Sequence, residues 1–357
     1  MKRTIAIILI IAALALSPAC GLFPKPPEPT AEPSPSPTAE PTASPVPTPE
    51  PTPTPTPVPT PEPLPEGVPE GIGDYARECV FTARDIMDEL IDFVKSSPLP
   101  CDSATYPFVP ADKRAELSPE AAELYDAMLE AAASFTDIEL ACSEEDMDAA
   151  LTALLFDHPE IETYFTMEQS GGAYRSAYFE PEARYYKPLE SADDDKMALV
   201  KEQFEAFDTV SRYVASRVPE DFSALDKYRL LALYISRVSQ YAHVHGEIPR
   251  YATCAYGAVI NGYSICQGYA IGYEYLCRLA NLDCRRVRNK YNDDNMHFWD
   301  IVTLDNGTYY VDVTWCDGSV SSYRDRYWLY WFMFTADGYH VANDGTTTTG
   351  ESLMLYP

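Results

Sequence analysis

Between Pro24 and about Pro69 the chain is nearly pure Pro, Thr, Ser, Glu and Ala, with runs such as Pro51-Thr52-Pro53-Thr54-Pro55-Thr56-Pro57. No other feature limits the fold so strongly. Such a segment has almost nothing apolar to bury, so it cannot offset the entropy lost on ordering and is expected to stay unfolded. Its prolines favour an extended chain, at about 3.1 Å per residue in polyproline II. Any hydrophobic core must come from the roughly 285 residues that follow, enough for one large domain or two small ones. The physical reading is a stalk that holds a folded body away from an anchor. Docking to a proline-recognising partner is the alternative, less suited to a regular Thr-Pro alternation.

Ahead of the stalk, Lys2 and Arg3 precede an apolar run from Ile5 to Leu16. That run is too short to cross a hydrocarbon core of about 30 Å, and it suits the h-region of a signal peptide. It ends in Leu16-Ser17-Pro18-Ala19-Cys20-Gly21, which is similar to a bacterial lipobox, although Ser17 stands where such motifs usually carry Leu. Cys20 is then expected to be lipidated, placing the protein on the extracellular face of a bacterial membrane. Ordinary signal cleavage with Cys20 incidental is the other reading. The expected layout is a lipoprotein signal peptide over 1–20, a disordered stalk over 21–70, a mainly helical region over 71–225 and a catalytic domain over 226–357.

The chain has 55 Asp plus Glu against 26 Lys plus Arg, a formal net charge of −29. Nucleic acid needs clustered cations, so it is excluded as a partner. Electrostatic adhesion to an anionic membrane is disfavoured too, which leaves attachment to the lipid on Cys20. Setting Cys20 and Cys266 aside leaves Cys79, Cys101, Cys142, Cys254, Cys277, Cys284 and Cys316. An odd number cannot all pair, and the spacings form no CxxC or Cys/His zinc set. Export permits disulfides while reducing surroundings preserve thiols, and both states stay open. His243 and His245 have no acidic or cysteine partner at ligand spacing. His158 before Pro159 reads as a turn residue, His340 as part of a polar tail, and Asp193-Asp194-Asp195 as a solvated helix start. No metal site or cofactor is expected.

Within the body, Ile86, Leu90, Ile91 and Val94 recur at helical spacing. Ser118-Pro119-Glu120 opens a second helix with a cap and an N-terminal proline, and Asp146 to Phe156 is a third. Tyr164 to Tyr186, interrupted by Gly171-Gly172, predicts a hairpin. Met197 to Val214 and Asp226 to Ala242 are again helical. The run Tyr327-Trp328-Leu329-Tyr330-Trp331-Phe332 reads as a final buried strand more readily than as a substrate groove. The helical front is either a separate module or a lid.

The chemistry concentrates in Ser264-Ile265-Cys266-Gln267-Gly268-Tyr269-Ala270, His297-Phe298-Trp299-Asp300 and Tyr310-Val311-Asp312-Val313-Thr314-Trp315. Cys266 falls in the first turn of a predicted helix, where the helix dipole and unpaired amides favour thiolate. Gly268 in that turn implies close packing against a strand or substrate. A cysteine there, taken alone, is more often a small core residue. His297 and Asp312 lie on two strands joined through Asp305-Asn306-Gly307-Thr308, a strong hairpin signal. With Asn306-Gly307 as the loop, Asp312 would pair with Ile301, on the face of His297 but about 13 Å along the strand from it. A bulge or a longer loop must close that gap. His297 would then take the proton of Cys266, and Asp312 would orient the imidazole.

Those motifs, with Ala255-Tyr256-Gly257-Ala258-Val259-Ile260-Asn261-Gly262 and Leu282-Asp283-Cys284-Arg285-Arg286-Val287, resemble the transglutaminase-like superfamily over about Asp226 to Tyr339. The resemblance implies an α+β fold with a papain-like core, in which a cysteine-bearing helix packs on an antiparallel sheet. It places the nucleophile on Cys266, the base on His297 and the acid on Asp312. It also suggests an aromatic oxyanion donor upstream of the cysteine, for which Tyr241 and Tyr256 are candidates, each with a core role as the plainer reading. Some transglutaminases bind calcium, for which Asp193-Asp194-Asp195 would be the place to look. Two departures stand out: Asp300 where members commonly carry Asn, and Cys316 where they commonly carry an acidic residue.

The expected function is a cell-surface thiol enzyme that acts on amide bonds of proteins or peptides, cell-wall peptide included, through an acyl-Cys266 intermediate. Peptidase and acyl transferase stay open as readings. The alternative from another class is a non-catalytic adhesion or scaffold module retaining the papain-like shape.

Overall fold

The structure, a computed structural model, describes residues 62–110, 112–180, 194–242, 248–289, 296–317, 331–335 and 340–350. The signal segment with Cys20, nearly all of the stalk, Asp193, His243, His245 and Tyr327-Trp328-Leu329-Tyr330 lie outside them. The chain divides between Pro63 and Leu64, and every element below belongs to the second part.

Helix and sheet are mixed. The order is α1 (Asp74–Ser96), α2 (Pro119–Ser134), β1 (Glu139–Leu140), α3 (Glu144–Asp157), β2 (Phe165–Ser170), β3 (Ala173–Tyr178), α4 (Asp194–Ser216), α5 (Ala224–Val238), β4 (Gln240–Tyr241), β5 (Tyr263–Ser264), α6 (Cys266–Leu279), β6 (Cys284–Arg288), β7 (Phe298–Leu304), β8 (Gly307–Val311), α7 (Val313–Asp317) and β9 (Phe332–Phe334). Local chemistry explains most boundaries. Ser118, Ser143 and Ser223 each accept the backbone N–H three residues on, satisfying one of the donors that a helix start leaves unpaired. Gly171 and Gly172 take φ of +63° and +90° to turn β2 into β3. α5 stops at Val238, short of the expected Ala242. The backbone of Gln240 and Ala242 instead donates to Gly262 and Ser264, pairing β4 with β5 in parallel.

Two cores form. The larger takes Val80, Met87 and Leu90 from α1, Phe207 and Val210 from α4, Leu230 and Leu233 from α5, and Tyr269, Tyr273 and Leu276 from α6. The sheet adds Val302, Leu304 and Val311. The smaller joins α2, α3, β2 and β3 through Met128, Leu154, Phe165 and Tyr178. Phe204 on α4 packs against both. The boundary expected at 225/226 falls inside the first turn of α5, and α4 and α5 share the larger core.

The four-stranded sheet runs β6-β7-β8-β9, antiparallel throughout, with α6 packed on β6 and β7. A smaller apolar cluster of Val287, Trp299, Ile301, Tyr310 and Ala342 occupies its other face. Among the described residues no helix is long and apolar enough to cross a membrane. The described cysteines, Cys266 included, are all free thiols.

Candidate active site

Cys266 is the first residue of α6. The preceding Ile265 makes no side-chain cap hydrogen bond, and the first turn holds no acidic residue. The opening amides of the helix therefore keep their donors aimed outward, uncapped by side chains. A Cβ on Gly268 would run into Ser264 Oγ and come within 2.8 Å of the carbonyl oxygens of Ala252 and Cys254. Glycine at this position lets the first turn of α6 press against the backbone that precedes it.

His297 sits one residue before β7. Its N–H donates to Asn289 Oδ1 at 2.9 Å, and the Asn289 N–H donates to its carbonyl at 3.0 Å, extending the β6–β7 ladder by one pair. The imidazole lies between Trp315, at 5.3 Å between ring centroids, and Trp299, at 6.0 Å. Cys266 Sγ is 3.9 Å from the carbonyl of Met296, the residue before His297, and it favours the charged form of that ring.

Asp312 follows β8 and caps α7. Its Oδ1 accepts the Trp315 N–H at 2.9 Å, and its Oδ2 lies 2.6 Å from His297 Nε2. The expected 13 Å offset does not arise, because the hairpin closes one residue earlier. Leu304 pairs with Gly307 and Asp300 with Val311, so Asp305-Asn306 is the loop. Moving the loop by one residue moves the pairing by two, which keeps every side chain on its face. Asp312 is thereby brought level with Trp299, two residues from His297.

These contacts set the charges. Burial works against a charged His297 ring, but the hydrogen bond with Asp312 and the nearby Cys266 outweigh it and hold the imidazole at about 9. Burial pushes the Asp312 carboxyl upward, yet donation from His297 and His340 outweighs that and holds it below the usual carboxylate range. At neutral pH the pair is imidazolium and carboxylate.

His340, expected in a polar tail, is instead fully buried, with Nε2 3.2 Å from Asp312 Oδ2. Rings of Trp299, Trp315, Trp331 and Phe334 surround it at 4.7 to 5.5 Å between centroids. No local signal marked this histidine; only the long-range pairing of the tail with the sheet edge places it. The same region holds a β-bulge. Met333 takes φ +56° between the pairs Tyr310–Phe334 and Val311–Phe332, and Asp312 N–H donates to the Trp331 carbonyl at 2.9 Å.

His297, Asp312 and His340 present donor atoms within 4.8 Å of one another, a grouping that local spacing concealed. The expectation of no metal-ligand cluster is corrected to that extent. The contacts of 2.6 Å and 3.2 Å are hydrogen-bond distances.

Tyr241 on β4 lies beside Ser264, two residues before Cys266, and its ring stacks on Tyr269 of α6 at 6.5 Å. Tyr256, the other oxyanion candidate, is fully buried in the larger core with its hydroxyl 2.6 Å from that of Tyr75 on α1. Alternation along β7 puts Asp300 on the α6 face, opposite His297. It is fully buried and Oδ2 has no partner. Burial, reinforced by Glu274 and Cys277, holds its carboxyl well above the usual range. That upward push favours the uncharged acid, which has the size of an asparagine. Cys316 is fully buried, and burial pushes its thiol up. The carboxyl next to it, Asp317, accepts a hydrogen bond from Tyr269 and is pushed by burial up to about 6.

No family model matches this chain, and no curated protein matches it. Among solved structures it is similar to the crystal structure of a TGase, with 13% identity, 53% of each chain covered and a TM-score of 0.29. The chain therefore spans about half the length of that protein. The likeness is weak, and the chemistry of the site rests on its own geometry.

Proposed function

We propose that this protein is a thiol enzyme with a transglutaminase-like, papain-like catalytic core, acting on amide bonds of proteins or peptides through an acyl-Cys266 intermediate. One observation carries the reading. A cysteine at an uncapped helix start lies 3.9 Å from the carbonyl that precedes a histidine, and a buried aspartate holds that histidine's Nε2 at 2.6 Å. Cys266 Sγ attacks the amide carbonyl, and the charge that develops on oxygen meets the Cys266 backbone N–H. Tyr241, beside the strand that leads into the cysteine, is the side-chain donor we assign to that oxygen. The C–N bond breaks as His297 gives its proton to the leaving amine, and a thioester remains. Water returns the acid, or a second amine takes the acyl group; the two outcomes share every earlier step. We propose further that lipid on Cys20 and the 21–70 stalk hold the enzyme at the outer face of a bacterial membrane, within reach of cell-wall peptide.

The test is to incubate the purified chain with a peptide pool, with and without a primary amine probe, and weigh the protein intact. The expected result is an acyl adduct on Cys266 with release of amine, absent in Cys266→Ala. A chain that neither acylates nor releases amine from any peptide would instead be the non-catalytic surface module.

A further inference from the structure

We propose that His340 is a positioning residue: its Nε2–H donates to Asp312 Oδ2 and, through it, holds the imidazole of His297. The proposal rests on the thiol-enzyme reading above. Asp312 has two carboxylate oxygens to place, and each has a fixed use. Oδ1 is tied to the start of α7 by the Trp315 N–H at 2.9 Å. Oδ2 faces His297 Nε2 at 2.6 Å and His340 Nε2 at 3.2 Å. Without His340, Oδ2 would lose the imidazole nitrogen that stands 3.2 Å from it. A buried carboxylate lacking donors loses much of the stabilisation of its charged form. The second histidine therefore keeps Asp312 ionised and stops it from rotating away from His297.

The aromatic surroundings fix the donor. His340 is fully buried, and its ring packs edge-on to Trp299 at 4.9 Å and to Phe334 at 4.7 Å. That packing leaves the imidazole one direction in which Nε2 meets Asp312. The effect of His340 on the thiol passes through Asp312 and His297, whose contacts join in one chain.

The decisive comparison uses two substitutions in the full chain, with the rate of iodoacetamide alkylation at Cys266 as readout. His340→Phe keeps the aromatic packing and deletes the donor. His340→Gln keeps an N–H donor near the position of Nε2 and deletes the ring. The expected result is that the Phe variant melts close to the parent but alkylates about ten-fold more slowly or worse, the size that one hydrogen bond to a charged group carries. The Gln variant should recover most of that loss. A Phe variant with unchanged rate and a Gln variant that loses it would make His340 an aromatic wall and overturn the proposal. Stoichiometric zinc in the purified protein, lost in the Phe variant, would make it a metal ligand and overturn it equally. The ring 15N shifts of His340 in the parent protein give an answer independent of how the variants fold, because a proton on Nδ1 alone contradicts donation from Nε2. A His297→Ala control separates the two layers. If it leaves Cys266 as reactive as in the parent, the thiol-enzyme reading itself fails. If it slows Cys266 while His340→Phe does not, only the role of His340 falls.

Discussion

Asp312 makes its contacts through both carboxylate oxygens and its backbone, and each has a separate consequence. Asp312→Asn preserves the shape and an acceptor for the Trp315 N–H, but it removes the charge that holds His297 as imidazolium. Cys266-dependent turnover should fall about 100-fold or more, with the melting temperature changed far less. Asp300 behaves in the opposite sense. Its folded-state pKa is raised, so the folded chain keeps a proton that the unfolded chain releases above about 3.9. Its contribution is whole below that pH and is lost progressively as pH rises towards the folded value, by up to about 1.4 kcal/mol per pH unit. Asp300→Asn should remove this loss. Denaturant titrations at pH 5 and pH 8 should then show the variant gaining on the parent at the higher pH. A parent and variant with parallel pH profiles would mean that Asp300 is ionised in the fold.

Gly268 and Ser118 make a contrasting pair of helix starts. Gly268→Ala would drive a Cβ into Ser264 Oγ and the carbonyls of Ala252 and Cys254. Overpacking of this kind costs about 1–3 kcal/mol, and because it displaces the turn that carries Cys266, alkylation of that thiol should slow as well. Ser118→Ala removes the cap of α2. It should cost about 1 kcal/mol of stability and leave Cys266 untouched, as parallel melting and alkylation assays would show. Features of this local kind were readable in advance. The Ser118 cap, the Gly171-Gly172 turn and the cysteine at a helix start depend on a few neighbouring residues, whereas the Ser143 and Ser223 caps start their helices two residues before the expected Asp146 and Asp226. The β7–β8 register was not readable, because Asp305-Asn306 and Asn306-Gly307 both preserve the faces and differ only in which residues end up level. The Met333 bulge and the burial of His340 depend on partners 20 to 40 residues away, which no local pattern specifies.

Glu162 links the helical front to the site. Its carboxylate accepts Gln267 Nε2 at 2.8 Å, next to the nucleophile, and pairs with Arg286 of β6 at 3.2 Å. Its carbonyl accepts Arg250 at 2.6 Å. A separate module was one reading of residues 71–225, yet α1 and α4 fill the same core as α5 and α6. Glu162→Ala should therefore lower both stability, by about 1–3 kcal/mol for the groups left unpaired, and the alkylation rate of Cys266. The net charge of −29 acts over the molecule at large. Self-repulsion among exposed carboxylates should make the melting temperature rise as salt is raised from about 0.01 M to 0.15 M, where the screening length falls from about 30 Å to 8 Å. The acidity could be read from composition alone, whereas the Glu162 bridge needed the fold.

The most direct measurement is the alkylation rate of each cysteine, mapped by mass spectrometry, in the parent and in His297→Ala. Cys266 is 7% exposed, while Cys79, Cys101 and Cys142 are more accessible. Accessibility alone would make Cys266 the slower thiol. Activation by His297 should instead make it the fastest, a lead lost when His297 is removed. A Cys266 that reacts more slowly than Cys79 or Cys101, and is indifferent to His297, would contradict that activation.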